Sequence, residues 1–129
     1  MKLNPDCLRD LLMYFEAETK PNHLVSFTAN GLRNKSEKLT GYTADELLYH
    51  IEQCSASGFL IQYAKDLSGN LLIADISPKA HEFLANIRDD TLWGKTKGIA
   101  REVGSASLSA LGEIAAVVVS AIVQKKLGL

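Results

Sequence analysis

The chain has 129 residues, with 14 Lys and Arg against 15 Asp and Glu, a formal net charge of −1 and a sequence pI near 6.3. That length suits one domain with a helical appendage, and a hydrophobic content of 47% can fill a core. The balance excludes the strongly basic composition common among dedicated nucleic-acid binders. The opening MKLNPDCLRD has no apolar signal-peptide core, so a cytoplasmic location is expected.

Asn4 or its neighbour is expected to cap a first helix, with Pro5 near N1, where its missing N–H costs nothing. Asp6 lies in the first turn, where a negative charge suits the helix dipole. Leu8, Leu11, Leu12 and Phe15 form its apolar stripe. Lys20-Pro21-Asn22 ends the element, and Leu24 to Phe27 reads as a short strand. The polar stretch Asn30 to Gly41 predicts a short helix from Asn34 to Leu39 that buries Leu32 and Leu39. Thr43 with Glu46 three residues later is a capping box. Leu47, Leu48, Ile51 and Cys54 then recur on one helical face until Gly58 stops the helix.

Phe59–Ala64 and Leu71–Ile76 are two apolar runs around Ser68-Gly69-Asn70, which predicts a hairpin. Pro78 to Asp90 is a helix burying Ala80, Phe83, Leu84 and Ile87. Thr91 is expected to cap the next, which carries Leu92, Trp93, Thr96, Ile99, Ala100 and Val103, with Gly98 inside it. A last helix runs from about Ser107 to Lys126. Its Leu108, Leu111, Ala115, Val118 and Ile122 follow a heptad rhythm. Gly112, Ala116 and Ser120 form a second, small-residue stripe, and the helix is apolar nearly all round.

Helix, short strand, helix, capped helix, hairpin: this order predicts an α+β, mainly helical fold, a winged helix-turn-helix with additional C-terminal helices. The expected division is a winged-helix domain at 1–90 and a helical extension at 91–129, whose last helix is expected to dimerise through the heptad, with folding back on its own domain as the alternative. A membrane span is disfavoured, because Leu108 to Val123 is short of the roughly 20 apolar residues a span needs and contains Glu113. Cys7 and Cys54 have no metal-type spacing and sit on apolar helix faces, so free buried thiols in a reducing compartment are expected.

The stretches MKLNPDCLRDLL, YTADELLYHI and ISPKAHEFLANIRDDTLWGKTK resemble a bacterial and prophage family of uncharacterised winged-helix proteins. The resemblance covers most of the chain. It implies the winged-helix fold and a phage-linked origin, and it carries no reaction or ligand.

Two functions follow as expectations. In a DNA-binding regulator, the capped helix enters the major groove. Thr43, Tyr49, His50 and Gln53 then face bases, while Arg33, Lys35, Lys38 and Lys65 meet phosphates of double-stranded DNA. Against this, the segment from Thr43 to Pro78 holds one base, Lys65, and five acids, Asp45, Glu46, Glu52, Asp66 and Asp75. Its formal charge of −4 opposes the phosphate attraction that dominates such binding. In the alternative, the same acidic face binds a host protein, with Tyr49 as an anchor.

Catalysis is not expected. His23, His50 and His81 have no partner at metal-ligand spacing, Asp89-Asp90 diverge on a helix, and no Gly-rich phosphate loop follows a strand. No cofactor or metal is implied.

Overall fold

The computed structural model describes residues 1–129. The chain divides into two compact units, Met1–His81 and Glu82–Leu129. The architecture is α+β, mainly helical, with small antiparallel sheets.

In the first unit, α1 (Pro5–Glu18) starts as expected, with the Asn4 side chain accepting from the Asp6 N–H at 3.0 Å and Pro5 in the first turn. Strand β1 (Val25–Phe27) follows. The single helix expected over Asn34 to Leu39 is two short ones, α2 (Ala29–Leu32) and α3 (Glu37–Thr40). The reason is local capping. The Thr28 hydroxyl accepts the Gly31 N–H at 2.9 Å and starts a helix earlier than the polar run suggests. Leu32 and Leu39 are nevertheless both buried.

The capped helix, α4 (Ala44–Ala56), has the full capping box, its two hydrogen bonds each 3.1 Å. At its other end Gly58, at φ 78°, lets the Phe59 N–H reach the Cys54 carbonyl and the Gly58 N–H reach Ser55. This satisfies two terminal carbonyls.

The hairpin is real but interrupted. Strands β2 (Leu60–Ile61) and β3 (Ala64–Lys65) pair with β5 (Asp75–Ile76) and β4 (Leu71–Ile73) respectively, in one continuous antiparallel register. Gln62, at φ 57°, breaks the run between β2 and β3. Strand β1 pairs with β4, giving the order β1-β4-β3.

Helix α1 packs against α4, with α2 on α4 and α3 on α1. Leu8, Leu11, Leu12, Phe15, Leu47, Ile51, Ile73 and Ile76 form the buried core. Each such side chain contributes about 2 kcal/mol through removal from water. Two polar ties fix α1 around this core. The Tyr42 hydroxyl donates to Asp10 at 2.8 Å, and the Thr19 hydroxyl donates to Asp75 at 3.1 Å.

Helix α5 (Pro78–Ile87) buries Ala80, Phe83, Leu84 and Ile87 as expected. It ends before Asp90, because the Asp89 carboxylate accepts the Leu92 N–H at 3.0 Å. Asp89, and not Thr91, is therefore the cap of α6 (Asp90–Val103). In the second unit α6 packs against α7 (Leu108–Lys126).

Trp93, Thr96 and Ala100 of α6 are buried, with the Trp93 ring edge-on to Phe83 of α5 at 6.5 Å between centroids, and Val103 is exposed. An added Cβ at Gly94 or Gly98 meets nothing within 4 Å, and neither has positive φ. Gly94→Ala and Gly98→Ala are each expected to raise stability by about 1 kcal/mol, since glycine costs roughly that much in a helix interior. Urea unfolding reads this directly, and a loss of stability would contradict the helix as described.

Candidate interaction face

Helix α4 turns Leu47, His50, Ile51 and Cys54 inward, all of them buried. By helical spacing, Asp45, Leu48, Tyr49 and Glu52 occupy the opposite face. Asp45 is exposed and the other three are half-buried. The hairpin leans on this face. The Tyr63 hydroxyl donates to Glu52 Oε1 at 2.8 Å, and Lys65 Nζ lies 3.2 Å from the same oxygen. Burial, and then the bond to Glu52, raise the Tyr63 phenol well above its ordinary value, so it remains a donor.

The hairpin tip is ordered by Asp66. Its carboxylate accepts the Ser68 and Asn70 N–H groups, each at 2.9 Å. Those bonds, led by the one from Asn70, hold it below the usual carboxylate range. Gly69, at φ 85°, closes the turn, and Leu67 stands fully exposed at its apex. The result is a surface with Asp45, Glu52 and Asp66 as its anions and with Leu48, Tyr49 and Leu67 as its apolar and aromatic content.

The structure sorts the residues expected to meet DNA. His50 is the clear correction. It is 1% exposed, because it ties α4 to the start of α1. The Asn4 N–H donates to its Nε2 at 2.8 Å, so the other nitrogen carries the hydrogen and donates to the Glu46 carbonyl at 2.7 Å. It cannot face bases.

Thr43 is exposed, but its hydroxyl is the helix cap. Gln53 and Tyr49 are half-buried on α4, and Lys65 is paired with Glu52. Lys35 and Lys38 are exposed on and before α3. Arg33 is half-buried, and its Nε is enclosed with no hydrogen-bond partner. The cations therefore gather ahead of α4 and are sparse on its outward face.

The heptad of α7 is also relocated. Leu111, Ala115 and Val118 are buried within the chain, Leu108 is half-buried and Ile122 is exposed. The middle of the expected dimer seam is thus consumed in cis, because α6 supplies an apolar face against it. By length and composition α7 is apolar enough to cross a membrane. Cys7 and Cys54 are free and buried. Burial pushes the Cys7 thiol up to about 12 and raises Cys54 as well, which leaves both unreactive as nucleophiles. No group of three or more His, Cys, Asp or Glu is placed to hold a metal ion.

Sequence reasoning missed two members of the face. Leu67 was the available signal, an apolar residue inside a polar turn. The Tyr63–Glu52 bond joins residues eleven positions apart on different elements, and no local pattern announces it.

Comparison with known proteins agrees with the uncharacterised-family resemblance. An uncharacterized protein of Haemophilus influenzae strain Rd is 25% identical over 123 residues, covering 93% of this chain and 97% of that one. No solved structure matches. The profile of the family described as hypothetical protein (DUF2513) matches residues 2–107, ending where α7 begins. The chain belongs to that family.

Proposed function

We propose that the first unit is a winged helix-turn-helix that works as a protein-interaction module, directing the face of α4 and its hairpin wing at a basic protein surface. The order of elements and the β1-β4-β3 sheet support the winged-helix reading, with α3 and α4 as the helix-turn-helix pair. The observation that carries the function is the charge of the outward face. Asp45 of α4 and Asp66 of the wing are the anions it presents, while Glu52 and Lys65 offset each other in an ion pair. A phosphate backbone gains little from such a surface. A cationic protein surface with an apolar recess gains from both the anions and the exposed Leu67.

The setting that fits is a reducing cytoplasm, in which a phage-linked protein engages a host protein. The two unbridged thiols support it. No catalytic step enters this reading.

DNA binding is the second reading, favoured by exposed Lys35 and Lys38 just ahead of α4. One variant separates the two. Replacing Arg33, Lys35 and Lys38 together by Ala is expected to leave capture of a protein partner unchanged. Loss of capture in this variant would return the function to the basic cluster.

A further inference from the structure

We propose that Glu52 is the positioning residue of the face formed by α4 and the hairpin. Through Tyr63 and Lys65 it holds β3 and the wing tip against α4, across a strained backbone joint at Gln62. The proposal rests on the reading of that face as an interaction surface and adds what sets its shape. One observation on the backbone and one between side chains support it independently.

Gln62 is exposed and holds φ 57°, in the left-handed region that residues with a Cβ rarely adopt. The ladder slips there. Bonded partners in an antiparallel pair alternate every second residue. The Ser77 N–H donates to the Phe59 carbonyl at 2.9 Å, and the Asp66 N–H to the Asn70 carbonyl at 2.9 Å. Odd-numbered residues are therefore bonded on one side of Gln62 and even-numbered ones on the other. Between them the Ala74 N–H, opposite Gln62 by register, bonds to the Ile61 carbonyl at 2.9 Å. The slip lets Ile73 and Ile76 both be buried, although residues three apart on a regular strand point to opposite faces. Strand β3, an edge of the sheet β1-β4-β3, thus joins β2 through a joint and not through a continuous ladder.

Beyond the joint, Tyr63 and Lys65 are two positions apart and share one face of the wing. Both reach the same atom. The Tyr63 hydroxyl donates to Glu52 Oε1 at 2.8 Å, and Lys65 Nζ lies 3.2 Å from it. The bonds that order the tip, from Ser68, Gly69 and Asn70 to Asp66, stay within the wing and do not fix where the tip lies. Glu52 does so from outside the wing. Release of Tyr63 and Lys65 frees the strained joint to relax, and Leu67, two positions beyond Lys65, moves with β3 away from Tyr49.

Hydrogen exchange of the full chain, read by NMR at the Asp66 amide and at Ala64 and Leu72, which alternation places in the same ladder, tests the hold. Glu52→Ala is expected to lower their protection about tenfold, the size of one charge-assisted hydrogen bond. The Ser77 amide and the interior of α4 are expected to stay within about twofold of wild type. Glu52→Gln keeps an acceptor for Tyr63 but not the ion pair, and is expected to lower protection about threefold. Glu52→Ala with Tyr63→Phe is expected to lose no more than Glu52→Ala alone, since both remove one contact. Gln62→Asn, which tolerates left-handed backbone better, is expected to raise protection about threefold. Unchanged protection in Glu52→Ala overturns the proposal, as does an equal loss at Ser77 and in α4. Losses that add in the double variant assign Glu52 a general stabilising role and also overturn it. Any result but a rise in Gln62→Asn removes the strained joint. Glu52→Gln and Tyr63→Phe carry the test if Glu52→Ala fails to fold. No partner enters the measurement, so its failure leaves the interaction reading to the binding of its own variants.

Discussion

His50→Ala is expected to lower the free energy of unfolding by about 3 kcal/mol, a large share of a small domain's stability. The ring fills space inside the first unit and holds two backbone groups at once, the Asn4 N–H and the Glu46 carbonyl. Removing it opens a cavity and strands the Asn4 N–H in a part-buried site. Asn4 is also the cap of α1, so the loss should appear as fraying of the first turn of that helix. His50→Gln retains a donor and an acceptor and is expected to cost about half as much. Urea unfolding measures the energy, and hydrogen exchange in α1 locates it. A substitution that leaves both unchanged would contradict the buried, bridging histidine. It would also reopen the reading in which His50 looks outward.

The second large effect concerns the face itself. Tyr49→Ala together with Leu67→Asp is expected to weaken binding to a captured protein partner by 100-fold or more, about 3 kcal/mol, the scale of truncating two interface anchors. Stability should change little at Leu67, which touches solvent on all sides. It should change more at Tyr49, whose ring stands edge-on to His50 with centroids 5.1 Å apart. The single variants separate the two contributions. Retention of full affinity in the double variant, folded by circular dichroism, would remove this face as the contact.

Much of the fold is legible in the sequence because its signals are local. The Asn4-Pro5 start, the Thr43–Glu46 capping box and the Gly58 stop each involve residues within a few positions, and the structure contains each of them. The buried stripe of α1 follows from its spacing in the same way. What the sequence conceals is non-local. His50 shares a helix with outward-facing neighbours, and only the arrival of the α1 N-terminus, 46 positions away, turns it into a core group. The α7 heptad shows an apolar seam, but not whether α6 or a second copy fills it. The split of the expected helix over Asn34–Leu39 arises from competition between the Thr28 cap and the weak helix propensity of the polar run.

The outward face of α4 and the hairpin is proposed to suit a protein surface and not phosphate. The most direct measurement is binding of the full chain to a mixed-sequence DNA duplex across a salt series. No measurable affinity is expected even at about 50 mM salt, because the face presents Asp45 and Asp66 and its one cation, Lys65, is paired with Glu52. Affinity at low salt that falls steeply as salt rises would contradict it. That result would show phosphate contacts and transfer the function to Arg33, Lys35 and Lys38.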